Sequence, residues 1–128
     1  MEKIKVLLAD NSTFTRIILS NTLETLGFQV VAVVKNGKEA LEKFNDVSPD
    51  IALIDLELEK ADGISVIRTL SERYPATPIV LMIPENKDDP DIIVESIRAG
   101  AKAYIKKPTS GEEVKKRLEK LLKRGGIT

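Results

Sequence analysis

Short apolar runs alternate with longer amphipathic stretches along the chain, and this rhythm limits the possible folds more than any single motif. The runs are Val6-Leu7-Leu8-Ala9, Val30-Val31-Ala32-Val33-Val34, Ile51-Ala52-Leu53-Ile54, Ile79-Val80-Leu81-Met82-Ile83 and Ala103-Tyr104-Ile105. They are rich in β-branched residues and Leu and lack alternating polarity, as strands buried on both faces of a parallel sheet do.

The intervening stretches carry helix signals. Ile18, Leu19, Leu23 and Leu26 lie at helical spacing, with Gly27 as a stop. Asn36 with Glu39 reads as a capping box ahead of an apolar stripe of Ala40, Leu41 and Phe44. Asp62 is the expected cap of a third helix with Ile64, Ile67 and Leu70, which Pro75 closes. A fourth helix is expected to start near Pro90, to carry Ile93 and Ile97, and to stop at Gly100. Ser110 and Glu113 open a fifth, with Val114, Leu118, Leu121 and Leu122 on one face.

A (βα) unit repeated five times predicts an α/β, doubly wound parallel sheet with helices on both faces. The chain's 128 residues suit one domain, expected over 1–124, with 125–128 as a C-terminal tail. Twenty basic residues balance twenty acidic ones, so no excess charge favours direct nucleic-acid binding. No long apolar run predicts a membrane span or a secretory signal, and a cytoplasmic location is expected. Cys and His are both absent, which excludes disulfides, thiolate nucleophiles, Cys/His zinc sites and Ser-His-Asp triads. Chemistry falls to carboxylates, amides, hydroxyls and lysines, whose oxygens favour hard cations such as magnesium.

In such sheets the site lies beyond the carboxyl ends of the strands, where strand order reverses. Asp10-Asn11 follows the first run, Asp55 ends the third, and Lys106-Lys107-Pro108 follows the fifth. Converging carboxylates repel unless a cation neutralises them. A divalent metal and one lysine would do so, leaving an aspartate able to attack phosphorus and form an aspartyl phosphate.

The chain resembles a response-regulator receiver domain of two-component signalling, similar to the single-domain chemotaxis regulators, over essentially its whole length. The resemblance is carried by Val6-Leu7-Leu8-Ala9-Asp10-Asn11-Ser12, Asn36-Gly37-Lys38-Glu39-Ala40-Leu41, Pro49-Asp50-Ile51-Ala52-Leu53-Ile54-Asp55, Asp62-Gly63, Ala99-Gly100-Ala101 and Tyr104-Ile105-Lys106-Lys107-Pro108. It implies a flavodoxin-like sheet of strand order 2-1-3-4-5, in which Asp55 is the phosphoacceptor, charged by a histidine kinase or phosphotransfer protein, and Lys107 contacts the phosphoryl group. It also implies a magnesium ion held by Asp10, Asn11, Asp55 and the backbone carbonyl of Glu57. Lys107-Pro108 matches a cis peptide bond, and Tyr104 matches an aromatic that reports activation. The face of the fourth helix, fifth strand and fifth helix would bind an output partner. Self-phosphorylation and slow hydrolysis make this a switch rather than a turnover enzyme.

Three departures fall at the site. Asn11 replaces the second acidic residue, so weakened magnesium affinity is expected. Near a protein surface a unit charge at ~4 Å is worth about 4 kcal/mol gross, and about twice that acting on a divalent ion. Ile83 stands at the switch Thr/Ser position, and Pro84 removes a backbone N–H expected to meet the phosphate. Each charge-assisted hydrogen bond so lost is worth about 1.5–3 kcal/mol.

Several alternatives remain open at this level. Asn11 either ligates metal or caps the first helix, and Ser12 reads more simply as that cap. Glu57 and Glu59 either turn inward to replace the charge missing at Asn11 or face solvent. Tyr104 is a switch or plain packing, and Ile83 favours packing. Lys115, Lys116, Arg117, Glu119, Lys120, Lys123 and Arg124 read as a solvated helix face. A phosphorylation-independent pseudo-receiver is the first alternative function. A flavodoxin-like small-ligand binder is the second, against which no Gly-rich loop follows the first strand.

Overall fold

The computed structural model describes residues 2–87, 89–107 and 110–124. The strands are β1 (Lys5–Ala9), β2 (Gln29–Val34), β3 (Ile51–Asp55), β4 (Ile79–Ile83) and β5 (Ala103–Lys106). The helices between and after them are α1 (Thr13–Thr25), α2 (Gly37–Val47), α3 (Gly63–Arg73), α4 (Pro90–Ala99) and α5 (Gly111–Arg124). All strand pairs are parallel, as the alternating pattern predicts, and the order is β2-β1-β3-β4-β5, as the family resemblance implies.

Uniformly apolar strands make sense once both faces are seen to be covered. Leu7, Ala9, Ile54, Leu81 and Ile83 share one core with Phe44 of α2, Ile67 and Leu70 of α3 and Ala99 of α4. Val6, Leu8, Leu53, Val80 and Met82 share the other with Leu19 and Leu23 of α1 and Val114, Leu118 and Leu122 of α5. Each fully buried Leu or Ile contributes roughly 1.5–3 kcal/mol relative to exposure.

The double burial expected of every strand holds for the three inner strands and fails at the edges. Val33 of β2 is 44% exposed, because an edge strand has a neighbour on one side only. Between the β1 partners Val6 and Leu7, β2 advances from Val30 to Ala32, so Val31 is an extra residue that kinks this edge. Two expected stripe residues are also corrected: Ile18 is 50% and Ile97 54% exposed. Each lies on a helix whose sheet-facing positions are taken by others, Leu19 and Leu23 on α1 and Ala99 on α4.

The helix starts follow their sequence signals. Ser12 Oγ accepts from Thr15 N–H, Asn36 Oδ1 from Glu39 N–H, Asp62 Oδ1 from Ser65 N–H and Ser110 Oγ from Glu113 N–H. A cap of this kind is worth about 1 kcal/mol. Glu39 reaches back to Lys35 N–H at 3.1 Å, one residue before the cap. Glu113 instead turns forward to Arg117, 2.9 Å away. The expected cis bond at Pro108 and the tail 125–128 lie outside the described residues.

Candidate functional site

Strand order reverses between β1 and β3, and there the carboxyl ends of three strands deliver Asp10, Asp55 and Lys107 to one point. Parallel pairing aligns Ala9 of β1 with Ile54 of β3, so Asp10 and Asp55 emerge side by side. The main chain places the lysine as well, since Lys107 N–H donates to the Ile83 carbonyl at 2.8 Å as β5 ends.

Both aspartates are fully buried, and the lysine bridges them. Lys107 Nζ lies 2.9 Å from Asp10 Oδ2 and 3.3 Å from Asp55 Oδ2. The remaining donors are backbone N–H groups. Ser12 donates to Asp10 Oδ1 at 2.9 Å, while Asn11 and Glu57 donate to Asp55 Oδ2 and Oδ1, each at 3.3 Å. Burial raises the Asp55 pKa above the ordinary carboxylate range, and the Asp10 charge raises it further. The Lys107 charge and the N–H groups of Asn11 and Glu57 oppose that rise. One ammonium between two carboxylates leaves the trio with one net negative charge, facing the sheet's carboxyl edge.

Of the two readings of Asn11, helix capping belongs to Ser12; Asn11 is exposed and reaches Asp55 through its main chain. Glu57 and Glu59 are exposed, and no three Asp or Glu side chains among the described residues gather to hold a metal ion. The oxygens present, two carboxylates with an amide and a carbonyl beside them, still suit a hard cation in kind.

Ile83 is fully buried in the core shared with α2 and α3, and Pro84 follows it half-buried. Tyr104 is half-buried beside the same core, and its ring lies 5.6 Å below the Arg117 guanidinium. Arg117 also donates to the Tyr104 carbonyl at 3.2 Å, tying α5 to β5, so it is half-buried against the sheet rather than part of the solvated helix face expected of it.

One positioning residue carries no chemistry and escapes a search for reactive side chains. A β-carbon on Gly63 would stand 2.2 Å from the Asp55 carbonyl oxygen, so only glycine lets α3 start directly against the acceptor strand. The Asp62-Gly63 pair was its signal in the sequence: a cap followed by a residue without a side chain.

The family model for the response regulator receiver domain matches residues 6–119. Chemotaxis protein CheY of Listeria monocytogenes is 30% identical over 120 residues, covering 94% of this chain and 99% of that protein. A protein-glutamate methylesterase/protein-glutamine glutaminase of Myxococcus xanthus is 35% identical over 108 residues, which is 84% of this chain but 31% of that protein. The crystal structure of a CheY-like receiver domain protein from Methanospirillum hungatei superposes with a TM-score of 0.90 at 21% identity, covering 98% of both chains. No described helix is long and apolar enough to cross a membrane. A family match over nearly the whole chain selects the receiver reading over the flavodoxin-like alternative, and the chain belongs to the response-regulator receiver domains of phosphorelay signalling.

Proposed function

We propose that Asp55 accepts a phosphoryl group from a histidine kinase or phosphotransfer protein in the cytoplasm, and that the charged state alters binding of an output partner. One observation carries this reading: a buried aspartate at the topological switch point shares its lysine with a second buried aspartate. In the transfer, an Asp55 carboxylate oxygen forms the new P–O bond and the donor's P–N bond breaks. Lys107 is within reach of the incoming phosphoryl oxygens, and the N–H groups of Asn11 and Glu57 orient the nucleophile. Asp10 holds the lysine in place.

Magnesium would be held by Asp10, Asp55, the Asn11 amide oxygen and the Glu57 carbonyl, and would neutralise charge on the phosphoryl group. The chemistry is self-phosphorylation with slow hydrolysis rather than turnover. For output, the binding surface would be the face of α4, β5 and α5, and α4 exposes Val94 and Ile97, 45% and 54%. Their exposure supports that face as the partner-binding surface.

The test is intact-mass analysis after incubation with acetyl phosphate and magnesium, beside Asp55→Asn and metal-free controls. A gain of ~80 Da that requires Asp55 supports acceptor chemistry. Absence of an adduct, with a control receiver labelled in parallel, favours the phosphorylation-independent module, for which buried Ile83 and half-buried Pro84 are the structural grounds.

A further inference from the structure

Beside the acceptor, on the α1 side of the sheet edge, lies a polar cleft of about 410 Å³ that shares only Asn11 with the reaction above. Arg16, Lys35 and Lys60 line it against a single carboxylate, Glu59, and Asn11 joins it to the acceptor. Three sequence-distant loops supply these cations: the start of α1, the β2–α2 turn and the β3–α3 loop. Lys60 adopts a left-handed backbone, φ 62°, unusual for a residue with a side chain. The Arg16 guanidinium is fixed by donating to the Asp10 carbonyl at 2.7 Å and to Thr13 Oγ1 at 3.0 Å.

The cleft also has an oriented side-chain amide. Asn36 lines it and is 5% exposed. Its Oδ1 accepts from Glu39 N–H at 2.9 Å, which sets the amide's orientation. Its Nδ2 donates to no atom among the described residues. That amide adds a group with N–H donors to a cleft with surplus positive charge.

We propose that this cleft is a subsite for a phosphate-type dianion, presented either as free inorganic phosphate or as the distal phosphate of a small acyl phosphate. The second source rests on Asp55 being the phosphoacceptor. There, an Asp55 oxygen forms the new P–O bond, the bond between phosphorus and the acyl oxygen breaks, and the acyl group leaves as a carboxylate with no proton required. The distal phosphate would stay on Asn36, Arg16, Lys35 and Lys60 throughout, fixing the donor's orientation.

The experiment uses the 15N-labelled chain and inorganic phosphate, titrated against sodium chloride at matched ionic strength. The expected result is saturable shifts at the Asn36 side-chain amide and at Gly37 and Lys38, weakened about tenfold in a Lys35→Gln/Lys60→Asn variant whose other peaks stay in place. Non-saturable drift, equal shifts in chloride, or an unaffected variant overturns the subsite. A second arm compares labelling of Asp55 by acetyl phosphate and by 3-phosphoglyceroyl phosphate. A preference of roughly fivefold for the latter, lost in the variant, identifies the donor as the source. Equal rates beside saturable phosphate shifts identify free phosphate. If neither donor labels Asp55, the acceptor reading fails, and the titration still decides the subsite.

Discussion

Gly63 lies directly on Asp55: a β-carbon there would come within 2.2 Å of the Asp55 carbonyl oxygen and 2.8 Å of Leu56 Cα. Both obstacles are backbone, so nothing soft can yield. Gly63→Ala should cost about 1–3 kcal/mol in denaturant unfolding and should slow Asp55 labelling, because relief requires the acceptor strand or α3 to shift. Gly27→Ala is the contrast. Its φ is 98° but nothing lies within 4 Å of the added carbon, so it should cost about 1 kcal/mol and leave labelling alone. Equal effects on labelling would refute the assignment.

Asp55 has its pKa raised by burial first and by Asp10 second. The folded state therefore binds that proton more tightly than the unfolded chain does. Stability from this group is greatest at acid pH and falls as pH rises through the raised folded pKa. In metal-free buffer, Asp55→Asn should unfold at higher denaturant than the parent at neutral pH, and the gap should close on acidification. Paired unfolding curves across pH check this, and a pH-independent gap contradicts it.

Asp62 behaves in the opposite sense. The Ser65 N–H lowers its pKa, so its contribution is present above the unfolded pKa and is lost as pH falls through the folded one. Asp62→Ala should destabilise by about 1 kcal/mol at neutral pH, the worth of an N-cap, and by less in acid. Thermal unfolding at two pH values resolves the difference.

Asn11→Asp should tighten magnesium binding by about tenfold or more, since one further charge near the surface is worth about 4 kcal/mol gross before desolvation. Calorimetric titration of both proteins measures it. Unchanged affinity would mean that position 11 does not face the ion.

Ile83→Thr exchanges a fully buried methyl-bearing branch for a hydroxyl inside an apolar core. A loss of about 1–3 kcal/mol is expected. If the hydroxyl reaches an incoming phosphate, the labelled fraction at fixed acetyl phosphate should rise despite that loss. A fall in both would show Ile83 to be packing alone.

Fold and acid pair were legible because each depends on local patterning. Five apolar runs fixed by alternation place their last residues on one edge, and Asp10, Asp55 and Lys107 follow from that placement. Exposure was less legible. Ile18 and Ile97 satisfy helical spacing as well as Leu19 and Leu23 do, and only the packed sheet shows which positions are covered. Ser48 ends α2 in a left-handed conformation, φ 44°, with no glycine to announce it. The cleft of Arg16, Lys35 and Lys60 was invisible, because residues so far apart in sequence share no motif.

The sheet order also sets a schedule for assembly. β1 and β3 are neighbours in space, and their two aspartates meet once that pairing forms, after residue 55. Their counter-charge arrives 52 residues later, with Lys107 at the end of β5. A half-made sheet therefore ends in two like charges, and the last strand offsets part of their repulsion as it docks. The lysine that serves the site thus also acts as a latch, rewarding the chain only when the whole sheet is complete.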